Sequence, residues 1–394
     1  MHNCRIERKT IMLRYPFSIL LLSSIILSFS VVSCWKTDSL KPGTPKQETI
    51  KPETPTPEIS APEAAKPFIQ KEIPGVIRLQ GSPDEIGKQH GERLKTEIQT
   101  MIKNYIIGKT DWISTKDERI ARVRTMKPSL PDWYLRELSA CAIAADVDED
   151  VLLYAQCEGD IRSLGGCTTF VAYGNSTDNG QAEIGRNFDY FGFESVETCA
   201  TIFTIIPNDG YAFISVGWSG ILGGWTFFNE KGLFVANNLN YSNKKNPIGV
   251  PTLILERIIA QTAGTLDEAI AIIKNNPRMR GQALIIGEIR YHTDGMIRNA
   301  AVVKYDAENV SVEPCGNGFS FHTSVGSRRT EILEILKNPS RNPEDTIKSA
   351  GGILTLHSVV IRPESDKLWV AHGVTSNAHQ SRYRKFSISE LLKR

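Results

Sequence analysis

The stretch Leu164-Gly165-Gly166-Cys167-Thr168-Thr169-Phe170 is the point from which the rest of the chain can be ordered. A Gly-Gly pair runs into a cysteine, and two threonines then open a β-branched, strand-like run. Gly166 leaves the peptide bond before Cys167 sterically open, so the thiol can reach its own preceding carbonyl. Release there makes Cys167 a new N-terminal residue, carrying a thiol together with an α-amine of ordinary pKa about 7.7–8.0. The competing reading is a buried structural thiol, a common fate for a free cysteine.

Composition narrows the field. The chain has 394 residues, 41% of them apolar and 23% charged, with a formal net charge of +2. These are globular values, and the absence of a basic stripe argues against a nucleic-acid partner. Seven cysteines show no close pairing, and neither an HExxH motif nor histidines at ligand spacing occur, so no metal or cofactor is expected.

At the N-terminus, Arg5, Arg8, Lys9 and Arg14 precede an apolar run from Phe17 to Val32 that ends in Val31-Val32-Ser33-Cys34. The run is shorter than the roughly 20 residues of a spanning helix and has the anatomy of a secretory signal. It resembles a bacterial lipoprotein signal, which implies residues 1–34 as a leader, lipidation at Cys34, and an extracytoplasmic protein held to a bacterial membrane by its lipid. From 35 to 66 the chain reads as a proline-rich spacer, with Pro42, Pro45, Pro52, Pro55, Pro57 and Pro62 among Lys, Thr and Glu.

The folded part begins near Pro67. Ser82-Pro83-Asp84-Glu85 is a capping box opening a helix that runs to Gly108. Helical spacing returns over 117–126, 132–145 and 148–157, and His90 falls on an apolar face as a core residue. At Cys167 the period changes to two. Strands are expected over 168–173, 182–187, 201–206, 211–217 and 233–239, then helices over 252–263 and after the Thr265 capping box. Strands follow at 283–289 and 300–304, a helix at 328–336, and strands at 356–361 and 368–371. Blocks of strands between blocks of helices predict antiparallel sheets with helices packed outside, an α+β layered domain.

Asn179-Gly180 between strand-like runs is a strong hairpin signal. A two-residue loop there sets Phe170 opposite Asp189 and Cys167 opposite Gly192. Arg186 and Asp189 then arrive beside the thiol. Arg186 can favour a thiolate by charge, and Asp189 can accept a hydrogen bond from the α-amine. Three residues apart, the two face opposite sides of a regular strand, so both serve only where the strand ends or bulges.

The pattern GGCTTFVAYGNSTDNGQAEIGRNFDY resembles the cysteine N-terminal-nucleophile hydrolases, in particular the acyl-coenzyme A:6-aminopenicillanate acyltransferase-like family. Choloylglycine hydrolases and acid ceramidase-like amidases share its design. GSPDEIGKQHGE (Gly81–Glu92), NEKGLFVANNLNY (Asn229–Tyr241), GVPTLILERII (Gly249–Ile259) and TLHSVVIRPESDKLWVAHG (Thr355–Gly373) continue the resemblance in order. It implies a four-layer αββα sandwich and self-cleavage between Gly166 and Cys167. The products are a helical α-chain segment, 67–166, and a β-chain, 167–394, which stay associated. It further implies Cys167 as nucleophile, Arg186 and Asp189 beside it, Asn240 (or Asn238) in the oxyanion hole, and Arg329 (or Arg328) as an active-site arginine. The expected substrate is a small acyl amide or thioester. Two departures stand out: Gln282 occupies a position where relatives often have asparagine, and their Asn-His-Phe is only echoed by Phe321-His322-Thr323.

Two rivals compete. A Cys-His thiol protease would pair Cys167 with His322, His357 or His372, and a non-catalytic surface lipoprotein would use the fold only to bind. Trp218 and Trp225, in a glycine-rich stretch, are candidates for lining an apolar acyl pocket or for plain packing. Cys141, Cys157, Cys199 and Cys315 have no spacing that selects a disulfide.

Overall fold

The computed structural model describes residues 75–107, 115–162, 166–190, 198–324, 326, 328–352, 354–372 and 377–394. The expected leader with Cys34, the spacer, Leu164, Gly165 and Gly192 lie outside the described residues.

Two sheets form the centre. The larger has the order β1 (Val76–Gly81), β4 (Ala200–Pro207), β5 (Phe213–Trp218), β6 (Thr226–Asn229), β7 (Leu233–Leu239), β8 (Gln282–His292), β9 (Gly295–Tyr305), β10 (Val310–Pro314). The smaller runs β11 (Phe319–Thr323), β2 (Gly166–Gly174), β3 (Gly180–Asp189), β12 (Thr355–Arg362), β13 (Lys367–His372), β14 (Arg384–Ser387). Pairing is antiparallel except between β1 and β4, which are parallel. That one pair corrects the all-antiparallel expectation: residues 76–81 come from the helical segment and cap the sheet edge beside β4.

Strand alternation decides the layers. On β7, Phe234 and Ala236 join Val171, Ile184 and Val359 in a core between the sheets. Leu233 and Val235 face the other way and pack with Ile98, Leu138, Leu152 and Ile259 of the helical layer. On β2, Phe170 and Ala172 point outward onto Ile332, Leu336 and Ile347. Helices, two sheets and helices give the expected four-layer αββα sandwich.

The helical segment comprises α1 (Pro83–Arg93), α2 (Lys95–Met101), α3 (Lys116–Met126), α4 (Asp132–Ala145) and α5 (Glu149–Arg162). Ser82 caps α1 in a full capping box. The single helix expected to Gly108 is broken at Leu94 and followed by a π-helical turn, Ile102–Ile107. Gly87 and Gly91 let α1 lie on α4, since a Cβ would meet Glu137 O at 2.1 Å and Cys141 O at 2.5 Å. Arg257, on the helix Thr252–Thr262, ties that helix to α4 through a buried bidentate pair with Glu137 at 2.9 and 2.7 Å. His90 is a core residue as expected, accepting from the Gly220 N–H at 2.9 Å. Among the described residues no helix is long and apolar enough to cross a membrane.

Candidate active site

The hairpin that carries the site differs from its expected register. Cys167 lies opposite Phe188 and Gly166 opposite Asp189, so the partner of Cys167 moves from 192 to 188. The turn is not a two-residue Asn-Gly loop. Gly174 and Gly180, both at positive φ, flank the loop Asn175–Asn179. Thr177 Oγ1 closes it by bonding Gly174 O and Gln181 O at 3.2 and 2.9 Å. Asn179 Oδ1 accepts from the Gln181 N–H at 3.0 Å, so Asn179 acts through its side chain rather than as a left-handed turn residue.

This register brings Asp189 nearer to the Gly166–Cys167 bond than the expected one. β3 ends at Asp189, and the facing β12 shifts register between Thr355 and His357. The strand end therefore frees Asp189 from the parity that would send it away from Arg186.

Arg186 is fully buried. Its Nη1 donates to Thr169 Oγ1 at 3.0 Å and Asn238 Oδ1 at 3.4 Å, and its Nη2 to Asn237 Oδ1 at 3.2 Å. Burial raises the Cys167 pKa, the Arg186 charge pulls it down, and the Asp189 carboxylate pushes it up; hydrogen bonds from the Asp189 N–H and Arg186 also favour the thiolate. The net is a protonated thiol that needs a base. Burial likewise raises the Asp189 pKa, against Thr355 and Arg186, which lower it. Thr355 Oγ1 donates to Asp189 Oδ1 at 2.5 Å. Asp189 Oδ2 is buried with no hydrogen-bond partner among the described residues.

Cys167, Asp189, Asn237, Gln282, Asp160 and Trp225 line a cleft enclosing about 440 Å³, its open mouth included. It shares Phe188, Tyr190 and Trp225 with a second, mainly apolar chamber of similar size walled by Met101, Ile106, Trp218 and Ile221. Trp218 and Trp225 meet edge to face at 4.7 Å, and Phe188 sits 5.3 and 5.1 Å from them. The two tryptophans thus line a cavity rather than only filling core.

Not every expected residue joins this group. Asn240 lies one residue past the end of β7 and is absent from the cleft lining, where Asn237 stands instead; Asn238 is taken up with Thr169 and Arg186. Period-two parity along β7, setting Asn237 on the face of Leu233 and Val235, was the available signal. Arg329 is exposed in the outer layer with its guanidinium 4.7 Å from the Phe319 ring, and Arg328 bonds Ser349 O. Neither lines the cleft that holds Cys167. Gln282, opposite Leu239, does line the cleft.

Among the described residues no histidine is hydrogen-bonded to the Cys167 thiol. His357 pairs with Phe188, which pairs with Cys167, so His357 is two strands away, about 10 Å at the usual strand spacing of ~4.8 Å. Its Nε2 meets Thr226 Oγ1 at 2.9 Å, and burial first, then the Arg186 and His372 charges, holds its pKa far below the ordinary range. His322 contacts Leu239 O at 3.5 Å, and His372 pairs with His357. Cys141, Cys157, Cys199 and Cys315 are free thiols.

Residues 176–310 match the family described as Acyl-coenzyme A:6-aminopenicillanic acid acyl-transferase. An uncharacterized protein of Archaeoglobus fulgidus is 24% identical over 269 residues, 60% of this chain and 44% of that protein. The acyl-coenzyme A:6-aminopenicillanic-acid-acyltransferase 40 kDa form of Emericella nidulans is 28% identical over 220 residues, 53% of this chain and 59% of that protein. The chain thus spans about half the length of the curated relatives it matches. Among solved structures, a Caenorhabditis elegans N-acylethanolamine-hydrolyzing acid amidase ortholog is 18% identical, covering 56% of this chain and 99% of that one with a TM-score of 0.39. A variant of the conjugated bile acid hydrolase from Clostridium perfringens is 13% identical, covering 56% and 93% with a TM-score of 0.37.

Proposed function

We propose that this chain, a relative of the acyl-coenzyme A:6-aminopenicillanic acid acyl-transferases through residues 176–310, is a cysteine amidase or acyltransferase that matures by cutting its own Gly166–Cys167 bond. The observation that carries the reading is the placement of Asp189 across from Gly166, with one buried carboxylate oxygen unpartnered among the described residues, and of Arg186 beside the same thiol. A buried acceptor without a donor is costly. The α-amine released by the cut is the donor this geometry suits.

In maturation, Sγ attacks the Gly166 carbonyl carbon. The Sγ–C bond forms, the C–N bond breaks, and the thiol proton goes to the freed nitrogen. Water then adds to the thioester carbon and expels the sulfur, leaving a Gly166 carboxylate and an N-terminal Cys167.

In turnover the α-amine takes the thiol proton and Sγ attacks an acyl amide or thioester. Asn237, whose Oδ1 accepts from Arg186 Nη2, has its Nδ2 donor left for the developing oxyanion. The leaving group takes the proton back, and the acyl-enzyme passes its acyl group to water or an amine. The apolar chamber behind Trp225 suits a hydrocarbon acyl group. We place the enzyme outside the cytoplasm, tethered through a lipid on Cys34, with the two chains held together.

Intact mass and a denaturing gel on the purified wild type and Cys167→Ala test the reading. Two chains meeting at 166/167 in the wild type alone support it. A persistent single chain that still turns over amides would sink it in favour of a thiol enzyme of another kind. An uncut chain inert toward amides and thioesters would leave only the binding module.

A further inference from the structure

We propose that Ser324 positions the Cys167 nitrogen, first as the scissile amide and then as the catalytic base; this rests on the self-cleavage reading above. β11 pairs with β2 so that Thr323 faces Thr168, which puts Ser324 across from Cys167. In a hydrogen-bonded antiparallel pair, both residues exchange N–H···O=C bonds. Only one such bond exists here: the Ser324 N–H donates to Cys167 O at 2.9 Å. The Cys167 N–H donates instead to Ser324 Oγ at 2.8 Å, and that hydroxyl lies 3.4 Å from Cys167 O as a donor.

The exchange of a carbonyl for a hydroxyl has a chemical consequence. A backbone carbonyl is fixed and only accepts, whereas a hydroxyl accepts, donates and rotates about its Cβ. It can follow the nitrogen as a planar amide becomes a pyramidal amine. A neutral primary amine has two N–H bonds and one lone pair. Ser324 Oγ, on the β11 side, takes one hydrogen. Asp189 Oδ2, on the β3 side and without a hydrogen-bond partner among the described residues, takes the other. The lone pair is left for the thiol proton. In the cut the Sγ–C bond forms, the C–N bond breaks and the thiol proton reaches nitrogen, so Ser324 neither gains nor loses a proton. It is a positioning residue.

The test uses the full chain with Ser324→Ala and the near-isosteric pair Ser324→Thr and Ser324→Val, which differ by a hydroxyl against a methyl. Intact mass follows the splitting rate, and a medium-chain fatty acyl anilide reads kcat/KM against pH in the mature fraction. Ser324→Ala and Ser324→Val are expected to split about 10–100-fold more slowly, with Ser324→Thr close to wild type. In what does mature, loss of an acceptor disfavours the ammonium form, so the rising limb of the pH profile moves to lower pH while KM changes little. If Ser324→Ala does not fold, the Thr and Val variants decide alone, since a packing defect would affect both. A wild type that splits while Ser324→Val splits and titrates like it overturns this proposal alone. A wild type that never splits overturns the self-cleavage reading and this proposal with it.

Discussion

Arg186 donates from Nη2 to Asn237 Oδ1 at 3.2 Å, which gives the two ends of that carboxamide different tasks. The oxygen is anchored on a buried guanidinium and the nitrogen is left for the cleft. Under the proposed mechanism, Asn237→Ala should lower kcat by about 10²–10³ with KM little changed, the size of a lost oxyanion donor. Asn237→Asp should fall as far, because a carboxylate cannot donate. Steady-state kinetics beside Asn240→Ala discriminates the two positions; a defect confined to Asn240→Ala would return the role to that residue.

The chamber walled by Trp218 and Trp225 makes a prediction about chain length. Under the proposed function, Trp225→Ala removes packing from the acyl chain, at about 0.8 kcal/mol per methylene. Two or three methylenes translate into roughly a 10–50-fold lower kcat/KM for long acyl substrates, with acetyl or propionyl substrates nearly unaffected. A uniform loss across an acyl-length series would show that the chamber is not the acyl site.

Glu137 and Arg257 are a buried pair whose loss should show in stability. Their side chains are 2% and 0% exposed, so Glu137→Ala leaves an unpaired buried guanidinium, a change of about 3–5 kcal/mol. Urea unfolding measures it. A shift under about 1 kcal/mol would mean that the pair is reached by solvent, as in exposed ion pairs.

Acid should destabilise the fold as pH falls below the ordinary histidine range. Burial first, then the Arg257 charge, holds the His90 pKa down at about 3, and burial with Arg384 holds His372 at about 4. An unfolded histidine titrates near 6.5. The folded state therefore binds fewer protons between these values, so stability is full above about pH 6.5 and falls as pH drops toward the folded pKa. Each such histidine contributes a slope of roughly 1.4 kcal/mol per pH unit within the window. Protonation also removes the acceptor that His90 offers the Gly220 N–H. Thermal unfolding from pH 7 to 4 should show a falling Tm, and a smaller fall in His90→Gln; a flat profile would mean that these imidazoles reach water in the native state.

What the sequence revealed depended on how far apart the partners lie. α4 and β7 carry their own periodicity and emerge with the expected bounds. Cys167, Arg186 and Asp189 belong to one hairpin, so their proximity could be read even though the loop closed differently. β6, β10, β11 and β14 are four or five residues long, and their pairing is decided by neighbours elsewhere in the chain. With them went Ser324, at the end of β11, and in the same way Thr355, which meets Asp189 from distant sequence. Arg329 carries a suggestive motif but follows its helix into the outer layer over Phe319.

The parallel pairing of β1 with β4 bears on what a cut at 166/167 would leave behind. The upstream fragment would keep both a strand of the larger sheet and the helices over it, so the pieces would behave as complementing fragments rather than as enzyme and discarded pro-segment. Stripped of that partner, the downstream fragment would offer the open hydrogen-bonding edge of β4 to other chains. Refolding should then require both fragments together, and the chain break should be invisible to any probe of the native shape.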